Sequence, residues 1–498
     1  MLLLFVAINV YIAASEFCST ESMPALLKIN GGREYSDKTN ISLGVHEELH
    51  ERVEKIRREL AQGVVKPFRD IIEANVGDSS VEGGKQITFI RQVTALACLP
   101  DLLLDSAFPE DVKHRARSLL QQCRGNSIGS LTDIEGLEMV RRHIADYIRH
   151  RDSCPSNWED IIIVPGVSAA VKILYKLMNY TANRDTLAVL TPVPEFPLFS
   201  SALSQFGIEK VPYYLDEEDN WSVDVDGLQH VLAETSNSCL RAILVINPGN
   251  PTGQVLTTQN MEEIVKFANR NDLLIIACEV YQDNVYRGTF NSFKKVVYQL
   301  GSPYNRTELI SLMSSPKGYA DTGMRAGYME LYNINSSIKQ LLRSSIQIAD
   351  SPPICAQIAL DCVACPPTPG QPSYSLFHQE RWSALESLKT RANLVSDVIN
   401  STPGLSCNAL QGGFFAFIKV DVPDYFLEKA NSLGRCPSAL YCQEMLEHVG
   451  VVTNPGEVFG QKPGSLHFRI SILLPQEVLT DALQRIQNFH LNLMKHFN

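Results

Sequence analysis

The sequence predicts an α/β chain in which a mainly parallel central sheet is wrapped by helices and followed by a smaller α+β domain. Short apolar runs at 186–190, 242–246, 273–277, 309–313 and 326–331 alternate with amphipathic stretches, the pattern of strands buried on both faces and joined by crossover helices. Four of these runs stop abruptly in polar or turn-forming residues, at Thr191-Pro192, Asn247-Pro248, Cys278-Glu279 and Ser314-Ser315. Beyond them, residues 366–372 hold four prolines and a glycine, which marks a boundary. Ligands of open α/β sheets bind past the carboxyl ends of strands, so these endings are where chemistry is sought.

Each element follows in order. Residues 46–62 and 109–123 read as amphipathic helices separated by the loop-rich stretch 75–84. A helical run at 169–178 carries Ile173, Leu174 and Leu177 on one face. After the proline-rich boundary come a helix at 379–400 and a strand at 414–420. The expected division is 1–38 as a leader or arm, 39–124 packing with the small domain, 125–365 as the large domain and 366–498 as the small one. No internal repeat or low-complexity tract interrupts this plan.

Composition excludes several classes. The length of 498 residues corresponds to two or three domains at about 150 residues each. With 45% hydrophobic and 20% charged residues the chain is an ordinary folded protein, neither disordered nor collagen-like. A net charge of −11 and no dense run of Lys or Arg argue against nucleic acid as a partner. Twelve scattered cysteines read mostly as buried thiols, and the lone Cys362–Cys365 pair, followed by two prolines, does not make a metal site.

The apolar segment 2–14 is too short to cross about 30 Å of hydrocarbon as a helix, so no stable membrane span is expected. It suits the apolar part of a signal peptide cut before Glu16, yet the first lysine is Lys28 and the basic leader is missing. The missing early Lys and Arg argue equally against a mitochondrial presequence. Glycosylation sequons begin at Asn40, Asn179, Asn220, Asn305, Asn335 and Asn400. The expectation is a cytoplasmic protein, or a secreted one if residues 1–15 are removed.

Lys317 follows the run 309–313 directly. An ammonium in a desolvated pocket has a lowered pKa and is a candidate for a Schiff base with a carbonyl. Gly166-Val167-Ser168 opens a helix whose free N–H groups suit a phosphate. Asn250-Pro-Thr-Gly253 is a rigid turn carrying an amide, and the Tyr281 hydroxyl lies near the end of the adjacent run. Taken singly, these also read as a solvated lysine, a capped helix and a turn.

Taken together, Asn247-Pro-Gly-Asn-Pro-Thr-Gly253, Glu279-Val-Tyr-Gln-Asp-Asn-Val-Tyr286, Ser314-Ser-Pro-Lys-Gly-Tyr319 and Leu466-His-Phe-Arg-Ile470 resemble the alanine aminotransferase-like group of class I/II aminotransferases. Ala74-Asn-Val-Gly-Asp78, Pro194-Glu-Phe-Pro-Leu-Phe-Ser200 and Gly412-Gly-Phe-Phe-Ala416 fall in the same order as in that family. The resemblance runs from about Asn40 to near the C-terminus. It implies the fold-type-I architecture and pyridoxal 5′-phosphate (PLP) as cofactor. It also implies small amino-acid and 2-oxo-acid substrates, with L-alanine and 2-oxoglutarate foremost, and a homodimer.

By the same resemblance Lys317 would hold the PLP aldehyde and shuttle the proton between the substrate α-carbon and C4′. Ser314, Arg325 and the N–H groups of Val167 and Ser168 would grip the phosphate. Phe196 would stack on the pyridine ring, Asn250 and Tyr281 would bond its phenolic oxygen, Arg469 would clamp the substrate carboxylate, and Gly77 would let the backbone approach.

Four positions depart from the family's pattern, among them Val167, where a smaller residue is usual, and Pro165 just before the glycine. Cys278 stands where an aspartate keeps the ring nitrogen protonated, and Leu131 stands where a tyrosine crosses towards the partner's phosphate. Glu279 is adjacent to Cys278, but strand neighbours point to opposite sides. The departures imply that cofactor capture survives better than fast transamination. They leave open an impaired PLP-binding homologue with a binding or regulatory role, and a PLP enzyme of altered reaction type such as an eliminase or racemase.

Overall fold

In a computed structural model of the chain the backbone is described for residues 37–78, 86–181, 187–235, 239–314, 317, 322–347 and 352–495. The chain divides into the units Met1–Gly44 and Val45–Asn498, and of the first only the start of the helix Asp37–Ala61 is described. The segment 2–14 and its expected cleavage site lie outside the described residues.

After a two-residue strand β1 (Ile72–Glu73), an eight-stranded sheet is built from β2 (Ile161–Val164), β3 (Leu187–Val193), β4 (Glu209–Asp216), β5 (Ser222–Val223), β6 (Cys239–Ile246), β7 (Leu274–Cys278), β8 (Leu309–Met313) and β9 (Gly327–Tyr332). Its order is β2-β9-β8-β7-β6-β3-β4-β5. The strands from β8 through β4 run parallel, whereas β9 lies antiparallel between β2 and β8, and β5 closes the far edge antiparallel.

Alternate residues feed two apolar layers. Val189, Leu244 and Ile276 meet Val171, Leu174 and Tyr175 of the helix Val167–Thr181. Leu190, Ile243, Val245 and Ile275 meet Ile264, Val265 and Phe267 of the helix Thr258–Arg270. Burial on both faces is why these strands read as continuous apolar runs. One expected ending moved: β3 continues through Thr191 and Pro192 to Val193. Its pairing with β6 stops at Leu190 while pairing with β4 goes on, so the proline sits where one side of the ladder has already ended.

The second sheet has the order β10-β11-β14-β13, with β10 (Leu405–Ser406), β11 (Phe415–Val420), β13 (Asn454–Pro455) and β14 (His467–Ser471) all antiparallel to their neighbours. Ile418, Phe468 and Ile470 share a core with Leu388 and Val395 of the helix Tyr374–Asn400, and with Leu483 and Ile486 of the helix Gln476–Lys495. β1 pairs parallel with β12 (Val451–Val452), and Leu49, Val53 and Ile56 pack with Leu446 and Val452. The helices Thr88–Cys98 and Glu110–Gln122 instead bury Ile90, Val93, Ala116 and Leu119 with Ile144, Ile148 and the helix Ile354–Ala364.

No disulfide joins the described cysteines, and Cys18 lies outside the described residues. Cys362 is buried, and the Cys365 sulfur accepts from Arg115 at 3.2 Å. Among the described residues no helix is long and apolar enough to cross a membrane.

Candidate active site

After β2 at one edge, the chain lays down β3, moves outward to β4 and β5, then returns past β3 to lay down β6, β7 and β8 on the other side. That reversal opens a crevice beyond the carboxyl ends of these strands. The Asn247 N–H donates to the Cys278 carbonyl at 3.0 Å and the Glu279 N–H to that of Leu312 at 2.9 Å, holding the three strand ends level.

Past β8, Ser314 Oγ donates to the Ala326 carbonyl at 3.2 Å, and Lys317 follows in a short turn; Ser315, Pro316, Gly318 and Tyr319 lie outside the described residues. Lys317 Nζ is 5.9 Å from the ring centres of both Tyr281 and Phe414. Burial, and then the positive charges of Arg469 and Arg325, push its ammonium down to about 8, against the opposing pull of Asp78 and Cys278. The amine is therefore a competent nucleophile near neutral pH.

Arg325 has a left-handed backbone with φ of 53°, and its guanidinium lies against Gly166, itself at φ 84°. A Cβ on Gly166 would come 2.8 Å from Arg325 Nη2. One on Gly327 would come 2.7 Å from the Met313 carbonyl oxygen, so Gly327 is required by close approach to backbone and Gly166 by its left-handed conformation. Val167 and Ser168 are the first residues of their helix, where N–H groups have no intrahelical acceptor. A planar cation and a helix N-terminus thus converge on one corner, an arrangement suited to a dianion.

Asn250 and Tyr281 hydrogen-bond through their side chains, and Asn250 Oδ1 accepts from Arg469 Nη1 at 3.1 Å. Burial raises the Tyr281 hydroxyl, keeping it protonated as a donor. Arg469, on β14 opposite Phe417, also donates from Nη2 to the Asn75 carbonyl at 3.3 Å. Its guanidinium carbon lies 3.8 Å from the ring centre of Phe415 and 4.5 Å from that of Phe459. Gly77 lies on the same ring: a Cβ there would be 2.7 Å from Phe415 Cζ.

Cys278 ends β7, and burial pushes its thiol up to about 12, so it is neutral. Glu279 turns away, as strand alternation requires: Oε1 accepts from the Phe293 N–H at 2.7 Å, at the start of the helix Phe293–Leu300. Burial raises this carboxyl to about 7. Phe196, just past β3, is 40% exposed, and Leu131 is 75% exposed. Sequence reasoning missed Asn75, Asp78 and the aromatic faces of Phe414, Phe415 and Phe459. The motif Gly412-Gly-Phe-Phe-Ala416 was visible, but it gave no role to its rings.

Comparison with known proteins agrees with this arrangement. The profile described as "Aminotransferase class I and II" matches residues 101–486. "Alanine aminotransferase 2" of Xenopus laevis is 40% identical over 456 residues, covering 90% of this chain and 84% of that protein. "Alanine aminotransferase 1" of Homo sapiens is 40% identical over 456 residues, covering 90% and 92%. The solved alanine aminotransferase from Pyrococcus furiosus superposes with a TM-score of 0.70 at 22% identity, covering 93% of this chain and 98% of that one, and shares the fold-type-I architecture. With a profile spanning most of its length and relatives of this similarity, the chain belongs to the class I and II aminotransferases, whose members work with pyridoxal 5′-phosphate.

Proposed function

We propose that the protein transfers the amino group between L-alanine and 2-oxoglutarate, with Lys317 as the cofactor-bearing and proton-moving group. One observation supports this above the rest: a lysine of lowered pKa at the carboxyl end of the sheet, under the influence of Arg325 and Arg469. The relatives named alanine aminotransferase support the choice of donor.

The residues fit PLP. The Arg325 and Gly166 corner suits its phosphate, Asn250 and Tyr281 its phenolic oxygen, and Arg469 has a buried Nε without an acceptor among the described residues. PLP, when bound, supplies an aldehyde for the amine and a ring that takes up electron density from the substrate α-carbon. Lys317 Nζ would hold the cofactor and, as a free amine, would take and return the α-proton. Val167, Ser168, Ser314 and Arg325 would grip the phosphate, and Phe196 would stack on the ring. Arg469 fixes the substrate carboxylate, with Gly77 admitting the backbone beside it. The division at 125 and 366 into a large cofactor-holding part and a small closing part belongs to this reading, as do a homodimer and a cytoplasmic setting.

Cys278 favours a second reading beside the first, a homologue that captures PLP but transfers slowly, because a neutral thiol puts no negative charge at the ring nitrogen. One experiment separates them. Protein incubated with PLP and borohydride is expected to carry the cofactor on Lys317, and L-alanine is expected to convert unreduced holoenzyme to the amine form and release pyruvate. Capture without pyruvate would leave the slow homologue standing; no adduct would remove both.

Two variants probe the grip. Gly166→Ala adds a methyl against Arg325 Nη2 and forces a left-handed non-glycine, so PLP affinity is expected to fall about ten-fold, with a strain of about 1–3 kcal/mol lowering the melting temperature. Arg469→Leu is expected to raise the KM for L-alanine by about 10²-fold or more, the scale of losing one partner of a buried charge pair, read from initial rates.

A further inference from the structure

The buried guanidinium groups of this protein are treated differently. Arg151 is paired with Asp152, and Arg115 with Asp361 at 2.8 Å. Arg469 is buried more deeply than either, yet its two acceptors are neutral, the Asn250 amide oxygen and the Asn75 carbonyl, and its Nε has none among the described residues. What it has instead is two rings, with its guanidinium carbon 3.8 Å from the centre of Phe415 and 4.5 Å from that of Phe459. Phe415 projects from β11, and Phe459 ends the turn Gly456–Phe459.

Both rings are themselves fixed. Phe415 is backed by Gly77, where a side chain would collide with it. Phe459 is held by its carbonyl, which accepts from the Glu195 N–H at 2.8 Å and so ties the turn to the residue before Phe196. Phe417 meets Phe459 edge-on with ring centres 6.0 Å apart.

We propose that Phe415 and Phe459 are positioning residues that sandwich the Arg469 guanidinium in one plane, keeping it charged without a protein counterion and leaving its edge for the carboxylate of the incoming acid. The negative faces of two rings offset part of the lost hydration of the cation. A protein carboxylate would do so more strongly, but it would compete with the substrate for the same edge. Rings stabilise the cation from above and below and leave the in-plane donors free, which suits a planar carboxylate. The inference rests on Arg469 being the carboxylate clamp proposed above.

The test uses holoenzyme and propionate, a carboxylate with no amino group to react. Phe459→Met and Phe415→Met keep an apolar side chain of similar bulk but remove the π face. Each is expected to weaken propionate binding about ten-fold and to raise the KM for L-alanine in step, with kcat changed less than about three-fold and PLP affinity unchanged. Phe459→Tyr, which retains the face, is expected to recover propionate affinity. Pentafluorophenylalanine in place of Phe459 keeps the shape, reverses the ring's charge distribution and is expected to behave like the Met variant.

Propionate affinity unchanged in the Met and fluorinated variants, or loss of kcat and PLP in proportion to propionate, overturns the proposal. The first outcome makes the rings mere packing and the second makes them general supports of the fold. Failure of wild-type holoenzyme to bind propionate, or of Arg469→Leu to weaken it, overturns the clamp reading instead.

Discussion

Replacing Lys317 by alanine is expected to abolish the borohydride-fixed adduct and to lower the rate of amino-group transfer from L-alanine by at least about 10⁴-fold, since proton transfer by a positioned base is alone worth about 10²–10⁴. The geometry gives that number its reason. No other lysine amine among the described residues is set between the rings of Tyr281 and Phe414 at the sheet's carboxyl edge. The expected loss is therefore not shared with a neighbour. Free PLP should still associate through the Arg325 corner, so equilibrium binding is expected to weaken less than the rate. A variant that retains the adduct would place the reactive amine elsewhere.

The same lysine has a pH signature. Burial and two guanidinium groups bring its pKa to about 8, so its uncharged fraction rises as pH climbs through that value rather than through the ordinary 10.5. The rate of PLP capture by apoprotein, followed by absorbance, is expected to reach half its plateau near pH 8. Neutralising Arg325 or Arg469 removes a repelling charge and is expected to move the midpoint upward, because the ammonium is then less disfavoured. A midpoint near 10.5 in the unmodified protein would mean that Lys317 is solvated and not poised.

Much of the sheet was legible because its strands are buried on both faces and so announce themselves as short runs without alternation. The run 309–313 coincides with β8, and 242–246 falls within β6. Pro192 misled because a proline normally stops a ladder, and only the three-dimensional fact that β6 had already stopped pairing makes it harmless. Lys317, Arg325 and Arg469 were singled out by the motifs they sit in, and the structure brings the charges of both arginines to bear on the Lys317 amine. The site was opaque where the contribution is a face or a neutral carbonyl. Asn75 meets Arg469 through its backbone oxygen, and Phe415 and Phe459 meet it through rings indistinguishable in sequence from core. The direction of Glu279 is an intermediate case. Strand alternation gives the side it faces, and the Phe293 N–H that it accepts shows what occupies that side.

That direction fixes the expected result for Cys278→Asp. With Glu279 capping another helix, no carboxylate among the described residues takes the place of the Cys278 side chain, and the thiol itself stays protonated with a pKa of about 12. A carboxylate introduced there would hold the ring nitrogen protonated and strengthen its electron withdrawal at the moment the α-proton leaves. The half-reaction with L-alanine is expected to quicken by about 10²-fold, the scale of a preorganised charge placed where charge develops.

Without cofactor the new carboxylate is buried and unpaired, so the apoprotein is expected to lose stability while PLP binding restores it. The rise in melting temperature on adding PLP should then be larger for Cys278→Asp than for the unmodified protein. Cys278→Ser, polar but uncharged, is expected to change neither the rate nor this difference by much. If the aspartate variant binds PLP, keeps its fold and is no faster, the slow step lies elsewhere than the ring nitrogen, and Cys278 is simply the side chain that fits a neutral ring.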